Sequence, residues 1–282
     1  MSSIARASMR IYGVDFTSAP SKRKPITCAM CLLSGTQLLL EDVIPIATFE
    51  AFEQWLRRSG PWLAALDFPF GQPRQLLTRL GWPLTWGGYV GLVGSMSKAE
   101  FEKTLQDYQD SRPAGDKQHM RVTDRLAGSR SPMMLHRVPV GKMFFQGAPR
   151  LLDSDVSVLP CYPRPMDRIV IEGYPALVAR RWSGKQSYKS DERAKQTAEQ
   201  RKIRQRIVDG IRSSSLLDMY SIQLSLTDEQ AQRLIEEPMG DELDAVLCAI
   251  QAAWAYTQRD GNYGIPATCD DVEGWIVDPS LL

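Results

Sequence analysis

Histidine is almost missing from this sequence: His119 and His136 are the only two. A histidine-rich zinc centre and a serine–histidine triad are therefore poorly supplied. Excess charge of one sign is missing too, since 34 Lys and Arg against 33 Asp and Glu leave a net charge of +1. Bulk charge thus gives no reason to expect nucleic acid or a membrane surface as partner, and any basic surface must be local. No apolar run approaches the ~20 residues of a membrane span, and Met1 to Met9 lacks the apolar core of a signal peptide. The five cysteines are an odd number, which fits a reduced cytoplasm better than a disulfide framework. Cys28-Ala-Met-Cys31 has C-x-x-C spacing but lies in an apparent strand, where residues three apart face opposite ways. The expectation is a cytoplasmic chain with no membrane segment and with buried strand cysteines.

What is present is ordinary globular material. The 282 residues, 43% hydrophobic and 24% charged, suffice for one large domain or two small ones. The chain is organised around Met9-Arg-Ile-Tyr-Gly-Val-Asp-Phe16. Ile11, Tyr12, Val14 and Phe16 mark a strand, and Thr17-Ser-Ala-Pro20 stops it. Two further apolar runs, Ile26 to Leu33 and Gln37 to Val43, flank Ser34-Gly35 as a hairpin does. Phe49, Phe52, Trp55 and Leu56 carry helical spacing within residues 47 to 59, ended by Gly60-Pro61. Trp62-Leu-Ala-Ala-Leu66 reads as a central strand covered on both faces, and Asp67 closes it.

The pattern β-β-β-α-β sets the first and fourth strands side by side, with Asp15 and Asp67 as neighbours at the carboxyl ends where open α/β sheets hold their sites. Residues 72 to 165 break this rhythm and read as an insertion. It contains a Gly- and Trp-rich stretch, Gly81 to Gly94, without the G-K-[ST] of a phosphate loop. A short polar helix spans Lys98 to Asp110, and a basic run carries Arg121, Arg125, Arg130, Arg137 and Lys142. The insertion is either a lid over the site or a surface elaboration. The core resumes at Asp167-Arg-Ile-Val-Ile-Glu172, with Pro175 placed to open a helix. A polar helix over 191 to 212 follows, and Thr227-Asp-Glu-Gln230 is a capping box for a helix that Pro238 closes. In the last long helix, 241, 244, 245, 248, 252 and 255 share a face: two carboxylates, then small residues suited to tight packing on a sheet. Glu273-Gly-Trp-Ile-Val277 is a candidate last edge strand.

Asp15, Asp67, Glu172, Asp241 and Asp244 thus share a context at strand ends and at a helix start. Clustered carboxylates ionise together only when cations neutralise them. Hard divalent ions such as Mg2+ or Mn2+ take carboxylate oxygens, and two ions about 4 Å apart serve phosphodiester hydrolysis. Each acid also has a plainer reading. Asp241 can be a helix cap with Asp244 beside it, Asp67 can cap a turn before Phe68-Pro69, and Glu172 can pair with a structural arginine.

Gly13-Val-Asp-Phe-Thr-Ser18, Leu66-Asp-Phe-Pro-Phe-Gly71, Glu172-Gly-Tyr-Pro175 and Asp241-Glu-Leu-Asp-Ala245, in that order, resemble the bacterial family called domain of unknown function 429. That family is placed among ribonuclease H-like folds and is predicted to be a nuclease; its Asp-x-x-Asp is similar to that of Holliday-junction resolvases. The resemblance implies an α/β fold of three layers (α/β/α). Its sheet would have five mixed strands, three antiparallel and then parallel ones, in a single domain with the 72–165 insertion. It implies Asp15, Asp67, Asp241 and Asp244 as metal ligands, with Glu172 an additional acid.

Three functions compete. The first is a metal-dependent nuclease or phosphodiesterase acting on structured DNA or RNA, or on a small phosphoester. There Asp15 bridges two ions, Asp67 and Asp241 or Asp244 hold one each, and Glu172 orients the water. Lys185 and Lys189 reach a phosphate. The second is a phosphotransferase of the actin and sugar-kinase type, with Thr17 and Ser18 as phosphate donors, but no second phosphate loop or late adenosine loop accompanies it. The third is a non-catalytic binding module.

Overall fold

The computed structural model describes residues 8–282. Strand β1 (Met9–Asp15) is followed by β2 (Ile26–Ser34), β3 (Gln37–Ile46), helix α1 (Phe49–Leu56) and β4 (Trp62–Leu66). Then come α2 (Arg74–Leu80), α3 (Trp86–Gly94), α4 (Lys98–Asp110), α5 (Val122–Ala127), α6 (Val140–Leu152), β5 (Ser157–Leu159) and β6 (Arg168–Glu172). Then follow α7 (Pro175–Ser183), α8 (Ala198–Ile211), α9 (Ser214–Tyr220), β7 (Gln223–Ser225), α10 (Asp228–Glu236) and α11 (Asp241–Thr257), with short 3-10 helices at Arg259–Gly264 and Pro279–Leu281 after them.

The sheet has seven strands in the order β5-β6-β4-β1-β2-β3-β7, not the expected five. The two additional strands are three residues each, one at either edge. Strands β1, β2 and β3 form an antiparallel meander, while β4 and β6 continue parallel to β1. The edge strand expected at Glu273–Val277 is reduced to one bridge between Ile276 and Glu172. The helix expected over 191–212 starts later, at Ala198, because the capping box of Thr197 and Gln200 opens it there.

Two cores lie on opposite faces of the sheet. Alternation along the strands assigns the residues: Ile11, Leu63, Ala65 and Ile171 join the core under α7–α11. Tyr12, Val14, Trp62, Ala64, Leu66 and Val170 join the core under α1–α4 and α6. This is a three-layer α/β arrangement. Cys28 lies in one core and Cys31 in the other, so the C-x-x-C pair is divided by the sheet. Among the described residues no helix is long and apolar enough to cross a membrane.

Helix α11 lies directly on the middle of the sheet. A Cβ on Gly13 would fall 2.0 Å from the Ala245 carbonyl oxygen, so only glycine admits this approach. Ala245, Ala249 and Ala252 are fully buried along the helix. Small residues on both sides thus bring the first turn of α11 down to the end of β1.

Candidate metal centre

Asp15 ends β1, and Asp67 follows the last residue of its parallel neighbour β4. Asp15 shares a strand face with Ile11 and Gly13, and Asp67 shares one with Leu63 and Ala65, so both carboxylates point to the α11 side. Asp244 arrives in the first turn of α11, whose start is set by the left-handed Gly240 at φ 72°. One carboxylate oxygen from each of Asp15, Asp67 and Asp244 lies within 4.8 Å of the others.

Protein donors serve these acids unequally. The Tyr188 hydroxyl donates to Asp244 Oδ1 at 2.5 Å, and the Lys189 ammonium pairs with Asp244 Oδ2. Among the described residues, neither the Asp15 nor the Asp67 carboxylate accepts a hydrogen bond. Burial pushes the Asp15 carboxyl well above its usual range, and Asp241, Asp244 and Asp67 add to the rise against the pull of Lys189. Burial and then Asp244 push Asp67 up to about 7. The ammonium of Lys189 is held well above its ordinary value: burial opposes its charge, but the carboxylates of Asp244 and Asp15 outweigh that.

Asp241 lies at the margin of this group. It is buried, its carboxylate is 3.9 Å from the Lys24 ammonium, and burial lifts it to about 6 against Lys24 and Lys189. It is outside the three-acid set whose oxygens converge.

Glu172 goes elsewhere. Its register partner on β4 is Leu66, one residue short of Asp67. A one-residue offset reverses the face, so Glu172 points away from α11. There Arg121 holds it in two hydrogen bonds of 2.6 and 2.8 Å, and the Phe70 amide donates a third at 2.9 Å. Arg121 also binds Asp124 through Nε and Nη2, at 2.9 and 2.8 Å, and all three side chains are buried. This closed Asp124–Arg121–Glu172 set ties α5 to β6. Both Glu172 oxygens accept protein donors within it, on the side of the sheet away from the converging acids.

The other sequence-predicted positions lie around the rim. Thr17 and Ser18 are half-buried in the turn after β1, where the Ala19 amide donates to Thr17 Oγ1 at 3.4 Å. Lys185 is exposed and lines a surface hollow with Arg180, Ser187 and Lys189, and of the two lysines only Lys189 pairs with Asp244. Tyr188 and Lys24 carry no motif in the sequence, and Arg121 stands out there only as part of a basic run. Tyr188 and Lys24 lie in segments without periodicity; the Arg121-x-x-Asp124 spacing was the one local sign of an internal pair.

A cleft of about 130 Å3 opens beside Asp67. Its walls come from the turn after β4 (Phe68, Pro69) and from the segment between α5 and α6 with the start of α6 (Arg130, Val138, Val140, Met143).

The architecture and the converging acids define a three-layer α/β protein with a buried carboxylate centre at the carboxyl end of a mixed sheet. The family described as "Protein of unknown function (DUF429)" matches residues 13–269, and the chain belongs to that family. No curated protein and no solved structure was found to match it.

The donor set fits a divalent cation. Three carboxylates converge, and the two that lack protein donors, Asp15 and Asp67, are pushed up by burial and by their acidic neighbours. That is an oxygen-rich site for a hard ion rather than for zinc on nitrogen or sulfur.

Proposed function

We propose that this chain is a divalent-metal-dependent phosphodiesterase of the ribonuclease H-like type, a nuclease in its class of chemistry. The five long strands, ordered β3-β2-β1-β4-β6, support reading the core as ribonuclease H-like. The observation that carries the function is the convergence of Asp15, Asp67 and Asp244 within 4.8 Å without enough protein donors to balance them. Mg2+ or Mn2+ is the cofactor this set suits, with Asp241 available at its margin. Such an ion, when bound, supplies positive charge to a phosphoryl oxygen and lowers the pKa of water.

The chain's own residues would do the rest. Asp15, buried, and Asp67, half-buried, face the same way and hold charge at the sheet end. Tyr188 keeps Asp244 in one rotamer. Lys189 is the one ammonium paired within the three-acid set, and it is placed to meet an anionic oxygen of substrate once the carboxylates are otherwise neutralised. The substrate is nucleic acid or a smaller phosphoester. Five unpaired cysteines, four of them buried, support a reducing cytoplasm as its compartment.

One observation favours a second reading, a non-catalytic binding module: Lys189 already neutralises part of the acid charge. Thermal melting with and without Mn2+, on the parent and on Asp15→Asn, separates the two. A ligand at a hundredfold excess over its dissociation constant adds ~2.7 kcal/mol of stability. Stabilisation of the parent but not of Asp15→Asn, followed by Mn2+-dependent cleavage of single-stranded or structured DNA or RNA, is the expected result. No Mn2+ response in either protein would remove the metal-dependent reading and leave the binding module.

A further inference from the structure

We propose that the cleft beside Asp67 is a pocket for one flat, single-ring base, so that the chain acts on unpaired pyrimidine nucleotides. The placement of the phosphate rests on the phosphoester reading above; the ring pocket itself stands on the cleft.

Size comes first. The cleft holds about 130 Å3. A cavity of ~150 Å3 lined by apolar side chains accepts benzene. The cleft is of that order and opens to solvent, so it has room for no more than one six-membered ring beside Asp67, and a base pair is excluded.

Wall chemistry comes next. Phe68, Pro69, Val138, Val140 and Met143 offer apolar surface to the faces of a ring. The charged groups at the back do not compete for ligand, because Arg121, Asp124 and Glu172 bind one another and Ser129 Oγ donates to Asp124 at 2.8 Å. Three polar groups of the lining remain available. Asp67 stands at the carboxylate end. Arg130 is exposed at the mouth and forms no ion pair among the described residues. The Tyr174 hydroxyl accepts from Arg180 Nη2 at 3.0 Å, and among the described residues its own proton has no acceptor. A hydroxyl donor and a guanidinium around a small apolar slot suit a ring that carries carbonyl oxygens on its edge, as a pyrimidine base does. The sugar phosphate of such a nucleotide would lie toward Asp67, where Asp15 and Asp244 converge.

The segment between α5 and α6, with the start of α6, supplies half of this pocket. Val138 is 49% exposed although it lines an apolar cleft, which is the condition of a wall awaiting a ligand face. The backbone just before it is unusual: Arg137 takes φ +64°, a left-handed conformation in a residue other than glycine.

Isothermal titration of the full chain with uridine 5′-monophosphate, ribose 5-phosphate and inorganic phosphate, each with and without Mn2+, tests the proposal. Uridine 5′-monophosphate is expected to bind about tenfold tighter than ribose 5-phosphate, the scale of one stacked base. Val138→Trp, a change at a half-exposed position, is expected to fill the cleft and abolish that preference while Mn2+ binding persists. Equal affinities for the two sugar phosphates, or a preference that survives in Val138→Trp, would overturn the pocket. The Mn2+ titration judges the cation reading separately. A ring preference without any Mn2+ binding would remove the phosphoester chemistry and leave the base pocket standing.

Discussion

Gly13 and Ala249 meet backbone to backbone: a Cβ on Gly13 would fall 2.1 Å from the Ala249 nitrogen. That contact sets the height of α11 above the sheet, and through it the distance from Asp244 to Asp15. Gly13→Ala must therefore push the helix outward or strain the strand. Overpacking of this kind costs about 1–3 kcal/mol, and here the opposing atoms are backbone, which yields least. The expected outcome is a lower melting temperature together with a weaker Mn2+ response than any equally destabilising change far from the site. Equal Mn2+ affinity in parent and variant would show that the contact does not govern the acids.

The raised carboxyls give the cation-free protein a pH dependence of definite sign. Asp67 moves from 3.8 to about 7 in the folded chain, and Asp241 from 3.8 to about 6. Between those values the folded state keeps protons that the unfolded state has released. The stability these groups contribute is complete below about pH 4 and is lost as pH rises through about 6 to 7, with a slope of about 1.4 kcal/mol per pH unit for each proton. Melting in the presence of a chelator should thus fall between about pH 5 and pH 8, and Mn2+ should restore most of the loss at the upper end. Asp67→Asn should flatten the chelator curve. A curve that rises over this window would contradict the burial of unneutralised acids.

Glu172 distinguishes a structural acid from a metal-binding one. Its carboxylate is spent on Arg121 and the Phe70 amide. Glu172→Gln keeps the volume and breaks a buried ion pair, at a cost of about 3–5 kcal/mol when the remaining charge is left uncompensated. Asp124 stays on Arg121, so the lower end of that range is expected. Denaturant unfolding should report this loss, while the Mn2+ dissociation constant measured on the folded protein stays within about twofold of the parent. A tenfold weaker Mn2+ affinity would return Glu172 to the metal centre.

Asp15 and Asp67 were legible because each closes a run whose composition already identifies a strand, and because the two strands are parallel neighbours. The Asp-x-x-Asp pair was legible because it opens a helix whose small residues declare a close approach to the sheet. Glu172 closes an identical kind of run, yet it faces the other core. Its face depends on pairing register with β4, and register is a tertiary property that no single run of residues encodes. Strands β5 and β7, at three residues each, are too short to carry a pattern. Tyr188 and Lys189 reach Asp244 from a non-helical segment between α7 and α8, where periodicity offers no guide.

Lys189 is the internal counter-ion of the site, and removing it separates stability from cation affinity. Its ammonium pairs with Asp244, which is 1% exposed, while its own side chain keeps 35% of its surface in contact with solvent. A fully buried pair broken on one side costs about 3–5 kcal/mol, whereas an exposed one costs under about 1. This half-buried case should fall near 2 kcal/mol in the absence of metal, because Tyr188 still donates to Asp244. Lys189→Gln also withdraws the positive charge that competes with an added cation. Mn2+ should therefore bind the variant more tightly than the parent, and saturating Mn2+ should close most of the stability gap. Phosphoester turnover should fall even so, since the ammonium available to an anionic substrate oxygen is gone. Calorimetric titration with Mn2+, melting curves at saturation and a turnover assay read the three effects independently. Weaker Mn2+ binding in Lys189→Gln would mean that the lysine positions the acids for the ion rather than opposing it.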